Sequence, residues 1–169
     1  NYTDKYTVPV LWDKKLKTIV NNESSEILRM FNTEFNHVAE NPSFDLYPLN
    51  LRTIIDETNE WIHDGINNGV YECGVATKQA AYDVAVKQLF DALDKCEEIL
   101  GRQRFLCGNT LTESDIRLFV TLIRFDEVYF SSNNRYVLVY YPTGLFSLPY
   151  CFFWRICCVA GLRGDIQMR

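Results

Sequence analysis

"VPVLWDKKLKTIVNNESSEI", residues 8–27, sets two short runs rich in β-branched and aromatic residues on either side of a lysine-rich turn, and follows them with a helix start. Val8–Trp12 and Thr18–Asn21 read as strands, and Asp13–Lys17 as a five-residue turn, so a β-hairpin is expected. Pro9 stands second in the first strand, where it has no N–H to give to a ladder. Ser24 or Ser25 then caps a helix running to about Val38, with Ile27, Met30, Phe31 and Phe35 on one face. This is the reading of a partial α/β unit.

Two explanations fit Pro9 and the "NESSE" that opens the helix. In the first, a cis Val8–Pro9 bond turns the Val8 N–H and C=O outward to pair with an extended ligand. The free N–H groups at the helix mouth then receive an anion, and Glu23 receives an ammonium. Such a pair of charges suits a γ-glutamyl group. In the second, the helix start is a cap and nothing more.

Further along, residues 39–48 ("AENPSFDLYP") carry Pro and no periodic face, and read as a linker. A second helix is expected from about Leu49 to Asn68, with Leu51, Ile54, Ile55, Thr58, Trp61 and Ile62 inward and "GINNGVYECG" ending it. A third covers about Thr77–Leu100 and is stopped by Gly101, with Tyr82, Ala85, Leu89, Leu93, Cys96 and Leu100 inward. "LTESDIRLFVTLIRF" starts a fourth at residue 111, with Thr112 and Asp115 spaced as a capping box and Leu111 and Ile116 as a hydrophobic staple. That helix is apolar nearly all round, so it is expected at the centre of an antiparallel bundle.

The chain has 169 residues, the length of roughly one domain of ~150 residues. Its net charge of −5 speaks against a phosphate-backbone partner, so no nucleic acid is expected. Charge is unevenly spread. Through Tyr129 there are 13 Lys and Arg against 21 Asp and Glu; from Phe130 onward there are four Arg and one Asp. The last 40 residues are apolar, hold half of the six cysteines, and are broken by Pro142 and Pro149. Pro149 and Arg155 interrupt the best spanning window, so the tail reads as sequence foreign to the rest rather than as a membrane anchor. The first residue is Asn, with no signal-peptide pattern behind it, and the expectation is a piece of a longer chain.

The cysteines fit no zinc spacing and read as reduced, partly core residues. A reducing, cytoplasmic compartment follows. His37 and His63 have no partner motif and read as surface residues. Tyr71 and Tyr129 close "NNGVY" and "RFDEVY", where a phenol could face a cleft and donate to a quinol or carbonyl oxygen; a ring packed inward with its hydroxyl wet is the alternative.

"VPVLWDKKLKTIVNNESSEILRMFN", "NEWIHDGINNGVYECGVATKQAAYDVAV" and "LTESDIRLFVTLIRFDEVY" closely resemble the xi-class glutathione transferases, the glutathionyl-hydroquinone reductases. The likeness covers residues 5–129. It implies an α+β fragment: the C-terminal part of a thioredoxin-like domain (1–38), the linker (39–48), an all-α glutathione-transferase helical domain (49–129), and a tail outside the family (130–169). It further implies glutathione as co-substrate, with Val8 and Pro9 at its backbone and Glu23 and Ser24 at its γ-glutamyl end. Tyr71 and Tyr129 would stand on the side of a quinol-type small molecule, and a homodimer is the assembly considered.

In the family a Cys thiolate, in a "CPW"-type motif upstream of the VP turn, attacks the sulfur of a glutathionyl-hydroquinone and releases the quinol. A second glutathione then clears the mixed disulfide. No such motif stands in this sequence, and none of its six cysteines fills that position, so no catalytic nucleophile is assigned. Cys73 is the nearest substitute. The alternative function is a non-catalytic helical interaction module, or an inactive truncated product.

Overall fold

The computed structural model describes residues 7–125, which divide into two compact units between Leu49 and Asn50. Tyr129 and the tail from residue 130 lie outside the described residues.

The first unit holds a two-stranded antiparallel hairpin, β1 (Leu11–Asp13) and β2 (Thr18–Asn21), and helix α1 (Ser24–Thr33). Trp12 pairs with Ile19 and Asp13 with Thr18, with an irregularity between Leu11 and Trp12. The first strand is shorter than its composition implies. Val8 and Pro9 form a bend, and the ladder starts only beyond the proline. Asp13 closes the turn, its Oδ1 accepting the N–H groups of Lys15 at 2.7 Å and Leu16 at 2.8 Å, while Lys17 takes a left-handed φ of 52°. α1 ends at Thr33, short of the expected Val38, and its cap is Glu23 rather than either serine. Ile27 is its buried residue; Phe31 and Phe35 stack on one another at 5.2 Å and stay exposed. The segment that follows is tied back by Asn32, which donates to Asp45 and accepts from the Leu46 N–H.

The second unit is helical. A 3-10 turn (Leu49–Leu51) leads into α2 (Arg52–Ile62), a π-helical segment (His63–Asn68), α3 (Gly69–Val75), α4 (Gln79–Arg102) and α5 (Glu113–Leu122). The glycines of "GINNG" do not end the second helix. A Cβ on Gly65 would lie 2.8 Å from the Ala92 Cβ, and one on Gly69 would lie 3.5 Å from Leu89. They are where α4 comes close, so the chain runs on through them. Gly101 likewise falls inside α4, which stops at the extended Gln103.

The continuous run from α2 through α3 is antiparallel to α4: Gly65 faces Ala92, and four residues on Gly69 faces Leu89. α2 and α5 instead run parallel, because two reversals separate them. Asn59 meets Glu113 and Ser114, and Asn67 meets Arg117 and Thr121. The core is built from Ile55, Ile62, Ile66, Val70, Leu89, Leu93 and Leu118, all but removed from solvent.

α5 is not buried all round, as Val120 and, at its C-cap, Ile123 are exposed. Its most deeply buried part is its polar first turn, Glu113, Ser114 and Asp115. Ile54, expected inward on α2, is exposed as well. No described helix is long and apolar enough to cross a membrane.

Candidate functional site

In the first unit the Val8–Pro9 peptide bond is cis, and Val8 is 89% exposed. Asn22 holds this bend against the helix mouth: its Nδ2 donates to Thr7 Oγ1 at 2.8 Å, one residue before Val8 and one before Glu23. The neighbouring Asn21 receives the Glu23 N–H on its Oδ1 at 2.7 Å and gives its own amide hydrogen to Glu26. Two adjacent asparagines therefore fasten the proline bend and the start of α1 into one exposed corner. Sequence reasoning missed both; the signal available was their place between the strand and the cap.

Glu23 Oε1 accepts from the Ser25 N–H at 3.5 Å and from the Ser25 hydroxyl at 3.3 Å. Both contacts are at the weak end of hydrogen bonding. An arriving ammonium needs little to recruit that carboxylate. Ser24 is the first residue of α1, beside N–H groups that have no partner within the helix. The corner thus presents backbone donors, an exposed bend at Val8 and Pro9, and one acidic oxygen, the chemistry that receives a group bearing both charges.

In the second unit Tyr71 lies on α3, 54% exposed. Cys73, two residues on, is fully buried, and burial, helped by Glu72, pushes its thiol up to about 11. Cys96 is pushed up to about 12 by burial. Cys107 is buried as well, its sulfur 3.7 Å from Ser114 Oγ. Thiols raised as those of Cys73 and Cys96 are hold their protons and are poor nucleophiles. His63 and His37 are both exposed, and no cluster of metal-ligand residues occurs among the described residues.

A groove of about 740 Å³ lies between α4 and the α2–α3 side, bordered by Glu57, Glu60, Asp64, Glu72 and Asp91. Its aromatic wall, Trp61, already carries Lys95, whose Nζ sits 4.0 Å from the ring centre. The acidic border disfavours an anionic tripeptide.

On the other side of the same helices a polar seam crosses the core. Asn59 donates to Glu113 at 2.7 Å and accepts from Ser114 Oγ at 2.8 Å, and Arg117 pairs with Glu113 at 3.2 Å. One turn along, Asn67 Nδ2 donates to the Arg117 carbonyl at 3.0 Å and to Thr121 Oγ1 at 2.6 Å.

Residues 79–143 match the family model of the glutathione S-transferase C-terminal domain, a match that runs past the composition break at residue 130. Against the glutathionyl-hydroquinone reductase YqjG of Escherichia coli K12 the chain is 57% identical over 129 residues, 76% of this chain and 39% of that protein. The glutathione-bound structure of YqjG superposes with a TM-score of 0.76 and 46% identity, covering 96% of this chain and 50% of that one. Glutathione-S-transferase Xi from Phanerochaete chrysosporium gives 0.81 and 47%, covering 97% and 54%.

The chain belongs to the xi-class glutathione transferases. This xi-class chain spans about two fifths of the length of the curated relatives it matches. Of the residues singled out in the sequence, Val8, Pro9, Glu23 and Ser24 all belong to the first unit and Tyr71 to the second.

Proposed function

We propose that this xi-class chain serves a glutathionyl-hydroquinone reductase of the cytoplasm. In this reading residues 1–38 are the thioredoxin-like part, 39–48 the linker and 49–129 the helical domain. Val8 and Pro9 pair with the backbone of glutathione, and Glu23 and Ser24 hold its γ-glutamyl end. Tyr71 and Tyr129 stand on the side of the quinol ring.

The observation that carries the reading is the first-unit corner. There the exposed bend at Val8 and Pro9 is tied through Asn22 to a helix mouth whose capping carboxylate is only weakly engaged. The name of the E. coli relative supports the substrate class. The thiolate that such chemistry needs is neither Cys73 nor Cys96, and Cys107 is buried, which favours a second reading in which residues 7–125 bind without catalysing.

Titration calorimetry with glutathione tests the site. Weak binding that Glu23→Ala and Ser24→Ala each reduce further is the expected result, with the second unit's melting unchanged. Equal affinity in all three chains would overturn the assignment.

A further inference from the structure

Tyr71 is carried by a short helix, α3, that hangs from a π-helical segment. Such segments are rare, occur mostly as single turns, and recur at functional sites. Their wider hydrogen-bond ladder is held by what surrounds it. On one side stands Gly65, pressed against Ala92 of α4 with no side chain to adjust. On the other stands Asn67, whose amide reaches two groups of α5, the Arg117 carbonyl and the Thr121 hydroxyl. Thr121 is buried, so that hydroxyl has little access to water as a substitute partner. Asn67 and Tyr71 are four residues apart, about one turn along the run that leads from the π segment into α3.

We propose that Asn67 is a positioning residue for Tyr71: it locks the π segment onto α5 and so fixes the direction in which the Tyr71 phenol meets an aromatic ring. This rests on the reading of Tyr71 as a quinol-side residue. The acid-bordered groove on the α4 face plays no part, since Asn67 is engaged with α5.

Asn67→Asp keeps the size of the side chain and removes the donor; Thr121→Val keeps the size and removes one acceptor. The probe is 1-naphthol, a stable phenolic ring, titrated into the 169-residue chain alongside glutathione. Asn67→Asp is expected to weaken 1-naphthol binding about tenfold or more, as a displaced contact group does, and Thr121→Val less. Glutathione affinity should stay as in the parent chain. The double variant Asn67→Asp/Tyr71→Ala should bind 1-naphthol no worse than Tyr71→Ala alone. In spectra of tyrosine-labelled chain the Tyr71 ring resonances should shift in Asn67→Asp while those of Tyr82 hold still, which general destabilisation would not produce.

Undiminished 1-naphthol binding by Asn67→Asp, with Tyr71→Ala weakened, overturns the inference and leaves the Tyr71 reading standing. An additive loss in the double variant overturns it too, because Asn67 would then act independently of Tyr71. Unchanged binding by Tyr71→Ala removes the Tyr71 reading, and the inference with it.

Discussion

Asp115 Oδ1 accepts the backbone N–H of Leu106 at 2.9 Å, across nine residues of sequence. Its Oδ2 accepts the N–H and the hydroxyl of Thr112, each at 2.9 Å. One fully buried carboxylate thus holds the start of α5 and the loop that precedes it. Asp115→Ala removes the acceptor of two buried N–H groups at once. Losing a helix cap costs about 0.5–2 kcal/mol, and a stranded buried donor about 1–3 kcal/mol. The expected loss is therefore about 1.5–5 kcal/mol, read from urea denaturation of the chain. A loss inside the ordinary cap range would show that Leu106 finds another acceptor.

The same carboxyl has a pH signature. Burial raises it above its ordinary value of 3.8, against hydrogen bonds from Leu106 and Thr112 that lower it. A carboxyl raised on folding holds its proton more tightly in the native state. Its contribution is fully present below 3.8 and is lost as pH rises through its native value. The stability of the parent chain minus that of Asp115→Asn should therefore fall as pH rises from about 4. A difference that grows with pH would mean that the hydrogen bonds outweigh burial.

How far the sequence carries is visible at these same residues. The Thr112–Asp115 spacing announced the cap because the capping box is local, and the two strands and their turn were readable for the same reason. The reach of Asp115 to Leu106 was not, since nothing at nine residues' separation marks it. The apolar residues of α5 predict a helix buried all round, yet the polar Glu113 and Ser114 are as deeply buried as Leu118, satisfied by Asn59 of α2. The adjacent serines, better cap formers, predict the cap of α1, which the structure gives to Glu23. The glycines misled in a third way, because their composition signals a helix end and only the approach of α4 reveals their use.

That last point separates two glycines by sign. Gly65→Ala places a methyl 2.8 Å from Ala92 Cβ, both on packed helices, and should destabilise by about 1–3 kcal/mol. Gly101→Ala, in the last turn of α4 with nothing within 4 Å, should stabilise by up to about 1 kcal/mol. Gly108 belongs with neither, since its φ of +111° makes a side chain strained whatever the space. Melting temperatures of the first two variants that move in the same direction would refute the contrast.

The cysteines supply the final test. Cys73 and Cys96 are fully buried, with thiols pushed up to about 11 and about 12. At pH 8 neither supplies the thiolate that alkylation or disulfide exchange requires. In the native chain both should resist iodoacetamide, with peptide mass spectrometry reading each site, and both should react once urea unfolds it. Thiols raised on folding stabilise at pH below their ordinary 9.0, so that contribution should fade as pH climbs from there through 11 and 12. Turnover of a glutathionyl-hydroquinone by these 169 residues would then not depend on Cys73. Activity above buffer that Cys73→Ser abolishes, together with native labelling at Cys73, would make it the nucleophile and refute the inert reading. Labelling without activity would show only that α3 opens readily, and would point back to Asn67 and the π segment as a weak hold.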